Sequence, residues 1–414
     1  MTLLRARRGS RRSATSIAAI LGTALATAVL SPTGATAAPA AAVAPGLLAP
    51  LLGRSAPADG RYIVVVKGTP GTQEPAAGRN RSAVIAGVVR GGARIDDQYS
   101  HAINGFSARL DADQLQAARA DPAVAYVVPD AAVHADTTQS PATWGLDRID
   151  QRGPLLNNRY TYVDSGIGVH AYVIDSGVRL SHHEFGIRGI SGFSSIDDGR
   201  GTDDCNGHGT HVAGTIAGTT YGVAKDAIPV AVRVLDCDGS GSWSGVIAGI
   251  DWGTEHHAPA SVANMSLGGE VNEAVDEAVN RSIESGVTYV AAAGNDNADA
   301  CRYSPARVPE ALTVGAVTRL DLRDVSYSNY GRCVDLFAPG TDITSAGISS
   351  DTATAVLSGT SMAAPHVAGA VAVYLQGHRG ATPDTVRAAI LDRATRNAVL
   401  LPGPGSPNRL LRTP

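Results

Sequence analysis

Two hydrophobic periodicities alternate along this chain from about residue 60 onward. Short apolar runs bounded by Gly, Asp or Pro predict buried strands, and apolar positions three and four apart predict helices. In the first stretch Tyr62–Lys67 reads as a strand and Arg79–Val89 as a helix weakened by Gly87. Arg94–His101 and Gly105–Leu110 read as strands with turn chemistry at Ile103-Asn104-Gly105. Asp113–Ala120 reads as a short helix, and Val124–Val128 as a strand stopped by Pro129. This order, βαββαβ, is ferredoxin-like. It holds no constellation of catalytic type, which predicts a partner of the main domain and not an enzyme.

Thr137–Thr143 is polar and predicts a processing point. After it, Val169–Ile174 reads as a strand ending in Asp175, and His208–Ala217 as a helix punctuated by glycine. Strands follow at Ile228–Leu235, Val262–Leu267, Val287–Ala293, Ala311–Thr318 and Cys333–Ala338. Helices are predicted at Ser244–His256, Glu273–Ser285, Met362–Leu375 and Val386–Ala394. Such alternation predicts an α/β fold, a mainly parallel sheet flanked by helices. Active sites of such sheets lie beyond the carboxyl ends of strands, where Asp175 and Asn295 fall.

The first residues change the picture. Arg5, Arg7, Arg8, Arg11 and Arg12 precede the apolar run Ile17–Leu30 and an A-x-A site, Ala35-Thr36-Ala37. Residues 1–37 therefore read as an export signal, too short in its apolar run to be a comfortable membrane span. Residues 38–57 are an Ala/Pro-rich linker, 58–136 the small unit and 137–414 the main domain. The mature product is expected to be extracellular, monomeric and free of membrane. Apolar residues make up 44% of the chain and charged residues 17%, enough for a large core. Residues 1–57 are basic and 137–414 acidic, which argues against nucleic acid as a partner and suits cation binding. All four cysteines, Cys205, Cys237, Cys301 and Cys333, lie in the main domain. In an exported chain they predict disulfides, with three possible pairings; the lack of a C-x-x-C disfavours zinc.

The candidate chemistry centres on Gly359-Thr360-Ser361-Met362-Ala363-Ala364-Pro365-His366. Ser361 falls at a helix N-terminus, where unpaired N–H groups stabilise negative charge. It reads either as an N-cap or as a nucleophile. A serine nucleophile needs a base and an acid that orients the base. No histidine follows Asp384 or Asp392, so the order Ser, Asp, His is impossible here. Upstream, Asp175-Ser176-Gly177 and Asn206-Gly207-His208-Gly209-Thr210-His211 supply the order Asp, His, Ser. Each block has a plainer reading. Asp175 and Asn295 suit turns, and His208 with His211 could hold a metal together with His182, His183 or Glu184. No H-E-x-x-H is present.

The blocks Asp175-Ser176-Gly177, His208-Gly209-Thr210-His211-Val212-Ala213-Gly214, Ala293-Gly294-Asn295 and Gly359-Thr360-Ser361-Met362-Ala363 together resemble the subtilases. Tyr221-Gly222-Val223-Ala224-Lys225, Asn264-Met265-Ser266-Leu267-Gly268-Gly269 and Tyr303-Ser304-Pro305-Ala306 are most similar to the proteinase K branch and its aqualysin-like secreted proteases. The resemblance runs from about Trp144 to Leu411, and residues 60–135 look like the family's inhibitory propeptide, which acts as intramolecular chaperone and inhibitor. It implies a secreted, self-processing serine endopeptidase acting on protein and peptide substrates. Ser361 would be its nucleophile, His208 the base, Asp175 the orienting acid, and Asn295 with the Ser361 N–H the oxyanion hole. Substrate would lie extended between Gly239-Ser240-Gly241 and Ser266-Leu267-Gly268, with Trp243 flanking a distal pocket. Ala292, Ala293 and Gly294 would line a primary pocket for apolar or aromatic side chains. The resemblance also implies the pairs Cys205–Cys237 and Cys301–Cys333. It implies structural calcium at Asp335 with the carbonyls of Pro309 and Ala311, and at Asp147, Asp150, Gln151 and Asn157. Gly153 and Arg159 depart from the family pattern at the second of these. A catalytically silent binding protein or scaffold on the same fold is the alternative.

Overall fold

A computed structural model describes residues 48–52, 60–68, 75–130 and 137–413. The expected signal segment and most of the linker lie outside them. The chain divides into two units, residues 1–132 and 133–414.

In the first unit four antiparallel strands are ordered Arg94–Tyr99, Gly105–Arg109, Arg61–Val66, Val124–Pro129. Helices Pro75–Arg90 and Ala112–Ala120 complete the ferredoxin-like order. The first helix begins four residues earlier than the apolar pattern predicts, with Pro75 at its first position, where a missing N–H costs nothing. The second starts on a capping box between Asp111 and Gln114. Val64, Val84, Val88, Phe106, Ala118 and Val127 are among the residues that form this unit's core.

The second unit is built on a nine-stranded sheet. Its parallel centre runs Leu336–Pro339, Leu312–Val317, Thr288–Ala292, Ser261–Met265, His170–Asp175, Ile228–Arg233, Ile190–Ser194. Alternate strand residues face opposite sides. Ala171 and Val173 join one core cluster with helices His208–Ala217 and Thr360–Gly377. Tyr172 and Ile174 join another with helices Trp243–His256 and Glu273–Glu284. After His170–Asp175 the chain lays strands on one side of it, then crosses to the other with Ser261–Met265. That reversal opens a crevice at the strands' carboxyl ends.

The helix Thr360–Gly377 is buried along nearly its whole length. Ala and Gly fill it, so neighbouring helices and the sheet approach closely. It begins two residues before the predicted start, and its N-cap is Gly359. Ser361 is therefore inside the first turn and is not the cap. Strand Ile190–Ser194 and the hairpin Ile343–Ala346 with Thr354–Leu357 were not evident in the sequence, being short and weakly apolar.

Two histidines are sealed in this core. The His211 ring meets the Ile343 carbonyl at 2.9 Å, and that of His366 meets the Met362 carbonyl at 2.8 Å. Burial is the main reason that each titrates near pH 4, below the ordinary 6.5. A histidine with a depressed folded pKa takes up its proton more readily when unfolded. Its stabilising share is intact above about pH 6.5 and is lost as pH falls toward 4. Each is worth about 3 kcal/mol at most on this basis. We predict that unfolding free energy, measured by denaturant titration, drops across this window, and that His211→Gln roughly halves the contribution of the pair to the slope.

Candidate active site

Strand His170–Asp175 delivers Asp175, fully buried, to the crevice. Its Oδ1 lies 2.7 Å from Nδ1 of His208, the first residue of its helix. The His208 side chain keeps 26% of its surface exposed, so the ring is oriented from behind and open in front. Gly209 permits the approach: a Cβ there would stand 2.1 Å from the Gly177 carbonyl oxygen and 3.2 Å from the Asp175 Cβ. Gly207 caps the helix with φ near 105°, a conformation that side chains resist.

A second carboxylate holds this helix start. Asp204, 5% exposed, accepts N–H groups of Asn206, Gly207 and Thr210 and the hydroxyls of Ser176 and Thr210. Ser176 in turn accepts the Gly209 N–H at 3.0 Å. Burial pulls the His208 pKa down, but Asp175, by charge and hydrogen bond, and the charge of Asp204 outweigh it and raise it above the ordinary value. Sequence reading missed Asp204. Its signal was an acid just ahead of a helix start, where the exposed N–H groups attract one.

Ser361 approaches from the opposite wall. Pro365, four residues on, has no N–H to give the Ser361 carbonyl. The Ser266 hydroxyl donates to that carbonyl at 2.8 Å, and the Ser361 hydroxyl donates to the Ser266 carbonyl at 3.1 Å. Asn264 Nδ2 donates to Ser266 Oγ at 2.8 Å and so sets the direction of the Ser266 proton. Asn295 accepts from both the N–H and the hydroxyl of Thr360 at 2.9 Å through Oδ1. Its Nδ2 is thus the end left to donate.

Two cavities meet at Ser266-Leu267-Gly268. One of about 450 Å³ is lined also by His208, Gly239, Ser240, Gly241 and Trp243. The other, about 300 Å³, is lined by Ala292, Gly294, Asn295, Thr360 and Ser361, with Asp296, Tyr303 and Ala306, which sequence reading did not single out for it. Ala293 does not line it. Strand alternation turns that side chain away, into a core cluster with Ala300, Val317 and Phe337. Cys205 pairs with Cys237, which ties the segment before His208 to the segment before Gly239, and Cys301 pairs with Cys333.

The two expected calcium sites differ in fit. At the first, Asp335 Oδ1 is bonded by the Arg387 guanidinium and Oδ2 accepts the Thr313 N–H at 2.9 Å. Pro309 and Asp335 share a cavity, Ala311 does not line it, and Arg307, Arg332 and Arg387 do. This donor set does not fit a dication. At the second, Asp147 accepts the N–H groups of Asn157 and Asn158, and Gln151 Oε1 lies 3.3 Å from Asn157 Nδ2. Asp150 accepts the Thr161 N–H, while its buried Oδ1 has no partner among the described residues. Burial, with the charge of Asp147, raises the Asp150 pKa. Clustered carboxylate and amide oxygens with one unpartnered carboxylate oxygen fit calcium chemistry.

Comparison with known proteins places this geometry. Residues 166–410 match the Subtilase family and residues 61–136 match Peptidase inhibitor I9. An extracellular serine proteinase of Thermus sp. (strain Rt41A) is 54% identical, over 88% of this chain and 93% of its own. An alkaline serine exoprotease A of Vibrio alginolyticus is 51% identical over 77% of this chain; the aligned part is 60% of that protein's length. The crystal structure of a cold adapted subtilisin-like serine proteinase is 53% identical, covers 66% of this chain and 99% of its own, and superposes with a TM-score of 0.65. This chain belongs to the subtilase family of serine peptidases, with an inhibitor I9 domain ahead of the peptidase domain.

Proposed function

We propose that the protein is a secreted endopeptidase of broad specificity that works through Asp175, His208 and Ser361 and is made as a self-processing zymogen. The observation that carries this reading is the 2.7 Å Asp175–His208 pair, open toward a cavity that shares its wall with the cavity of Ser361.

In this reading the Ser361 hydroxyl leaves the Ser266 carbonyl, gives its proton to His208 Nε2 and attacks the scissile carbonyl. The oxygen of that carbonyl becomes an anion, and Asn295 Nδ2 and the Ser361 N–H donate to it. One such donor is worth about 2.7–4 kcal/mol of barrier lowering. His208 then gives its proton to the leaving amine, and water releases the acyl group by the same steps in reverse. Asp175 keeps the proton of His208 on Nδ1 and stabilises the cation. Substrate backbone lies between Gly239–Gly241 and Ser266–Gly268. The cavity walls at Ala292, Gly294 and Ala306 are small, which favours apolar or aromatic side chains before the scissile bond. The inhibitor I9 domain is read as chaperone and inhibitor, removed by the enzyme itself. Export is supported by the basic and apolar start of the chain, the two disulfides and the likeness to the extracellular proteinase of Thermus sp.. No helix among the described residues is long and apolar enough to cross a membrane.

Calcium would be held by Asp147, Asp150, Gln151 and Asn157, where it would tie the chain's early loop together as a hard cation among oxygens.

Three outcomes are expected. Ser361→Ala should lower peptide hydrolysis by about 10⁴–10⁶-fold, abolish labelling by a fluorophosphonate and leave the chain unprocessed when expressed alone; processing of that variant at the normal rate would refute self-cleavage. The base must be neutral to act, so its raised pKa places the acid limb of kcat/KM above pH 6.5. A pH–rate profile of Asp204→Asn should show that limb moved to lower pH, because one of the charges that favours the imidazolium is gone. Asp150→Asn should lower the melting midpoint in calcium and shrink the difference between calcium and chelator seen in the parent protein; an unchanged difference places calcium elsewhere.

A further inference from the structure

We propose that the guanidinium of Arg387 is the resident cation of the Asp335 site, so that this part of the fold is held without calcium. Among the described residues that line the cavity, Asp335 supplies the only side-chain oxygens, to which the main chain adds carbonyls such as that of Pro309, and both carboxylate oxygens are engaged, one by Arg387 and one by the Thr313 N–H. Calcium takes six to eight oxygens. The lining instead brings three arginines, Arg307, Arg332 and Arg387, against one acid. Arg307 reaches Asp276, at 3.6 Å, so its charge is also committed within the fold. A dication entering here meets like charge at short range, in a partly desolvated place where repulsion is poorly screened.

The backbone that carries Arg387 is well fixed. It belongs to helix Pro383–Arg393, whose Val386 and Ile390 are fully buried on either side of it in sequence. Asp335 sits just before strand Leu336–Pro339, and its N–H donates to the Thr313 carbonyl at 2.8 Å. The ion pair therefore clamps the late helix onto two neighbouring strands of the sheet. Cys301 and Cys333, which line the same cavity, add a covalent clamp beside it. A cation that both strands and helix require is thus built into the chain. It is present at every calcium concentration.

This inference is independent of the catalytic reading, and its test uses the unprocessed full chain carrying Ser361→Ala, which removes the proposed nucleophile and with it the route to autolysis. Calcium bound by the stripped protein is counted by equilibrium dialysis, with and without Asp335→Asn. The expected result is the same number of calcium equivalents in both; loss of one equivalent in the Asp335→Asn chain would overturn the proposal. In excess chelator, Arg387→Gln should lower the melting midpoint by about 2–4 °C. A midpoint unchanged by Arg387→Gln would overturn it too, since the guanidinium would then hold nothing. The second arm keeps its meaning even where Asp335→Asn fails to fold.

Discussion

A missing N–H governs the geometry of the crevice. Pro365 leaves the Ser361 carbonyl without its helical donor in a largely buried helix, where a buried unpaired carbonyl costs about 1–3 kcal/mol. The Ser266 hydroxyl fills the gap, and the Ser361 hydroxyl answers on the Ser266 carbonyl. This reciprocal pair joins the end of a central strand to the first turn of the central helix. It fixes the wall that the two cavities share and sets Ser361 at that wall. Because Asn264 orients Ser266, the strand itself dictates which way the interlock points. The Ser361 hydroxyl is the loosest member: its acceptor is a carbonyl at 3.1 Å, a neutral partner that it can exchange for a stronger one.

The facing wall is organised by charge. Asp204 lies under the N-terminus of the His208 helix and takes three of its approaching N–H groups, which turns the helix dipole into a fixed mount. Asp175 alone would orient the ring; the two acids together raise its basicity. Both carboxylates are buried, so their effect is little screened by salt. The Cys205–Cys237 bridge and the 3.0 Å bond from Asn206 to the Cys237 carbonyl then couple this mount to the Gly239–Gly241 segment. The proposed base and the proposed substrate edge therefore move as one piece.

Six of the seven parallel strands were legible as short apolar runs, and Asp175 at the end of one and Asn295 just past another are residues the crevice uses. The site blocks were legible because their spacing along the chain has one workable order. What escaped was set by tertiary contact. The Ser266–Ser361 interlock joins residues 95 apart, although Pro365 announced in sequence that one carbonyl would need a new donor. Asp204 looked like a loop acid, since its five donors converge only when the helix is docked. Ala293 was assigned to the wrong side because a stretch of three small residues gives no phase for strand alternation. The Asp335–Arg387 pair could not be read in sequence because Arg387 arrives from a helix 52 residues away.

The Asp335–Arg387 ion pair fits a wider habit of this chain. Arg148, with almost no exposed side chain, grips both oxygens of Asp321 at 2.7 and 3.0 Å. Arg233 does the same for Asp198 at 2.8 and 2.6 Å and lies 3.2 Å from the Cys205 sulfur. Lys225, one of the chain's buried charged residues, donates to the Thr220 and Gly222 carbonyls above the rings of Tyr160 and Tyr162, and burial lowers its pKa to about 8. Each cation neutralises oxygen groups that a bound metal could otherwise serve. An attached side chain gives up rotamer freedom once, on folding, whereas an ion must also be drawn from solution at whatever concentration prevails. Removing an attached cation strands its carboxylate in a half-dry site, and that penalty makes such pairs hard to lose once formed. A fold that keeps its cations on its own chain gains rigidity around the crevice without depending on the medium, and of the two expected calcium sites it is the one with a buried carboxylate oxygen unpartnered among the described residues, at Asp150, where dependence on an ion would persist.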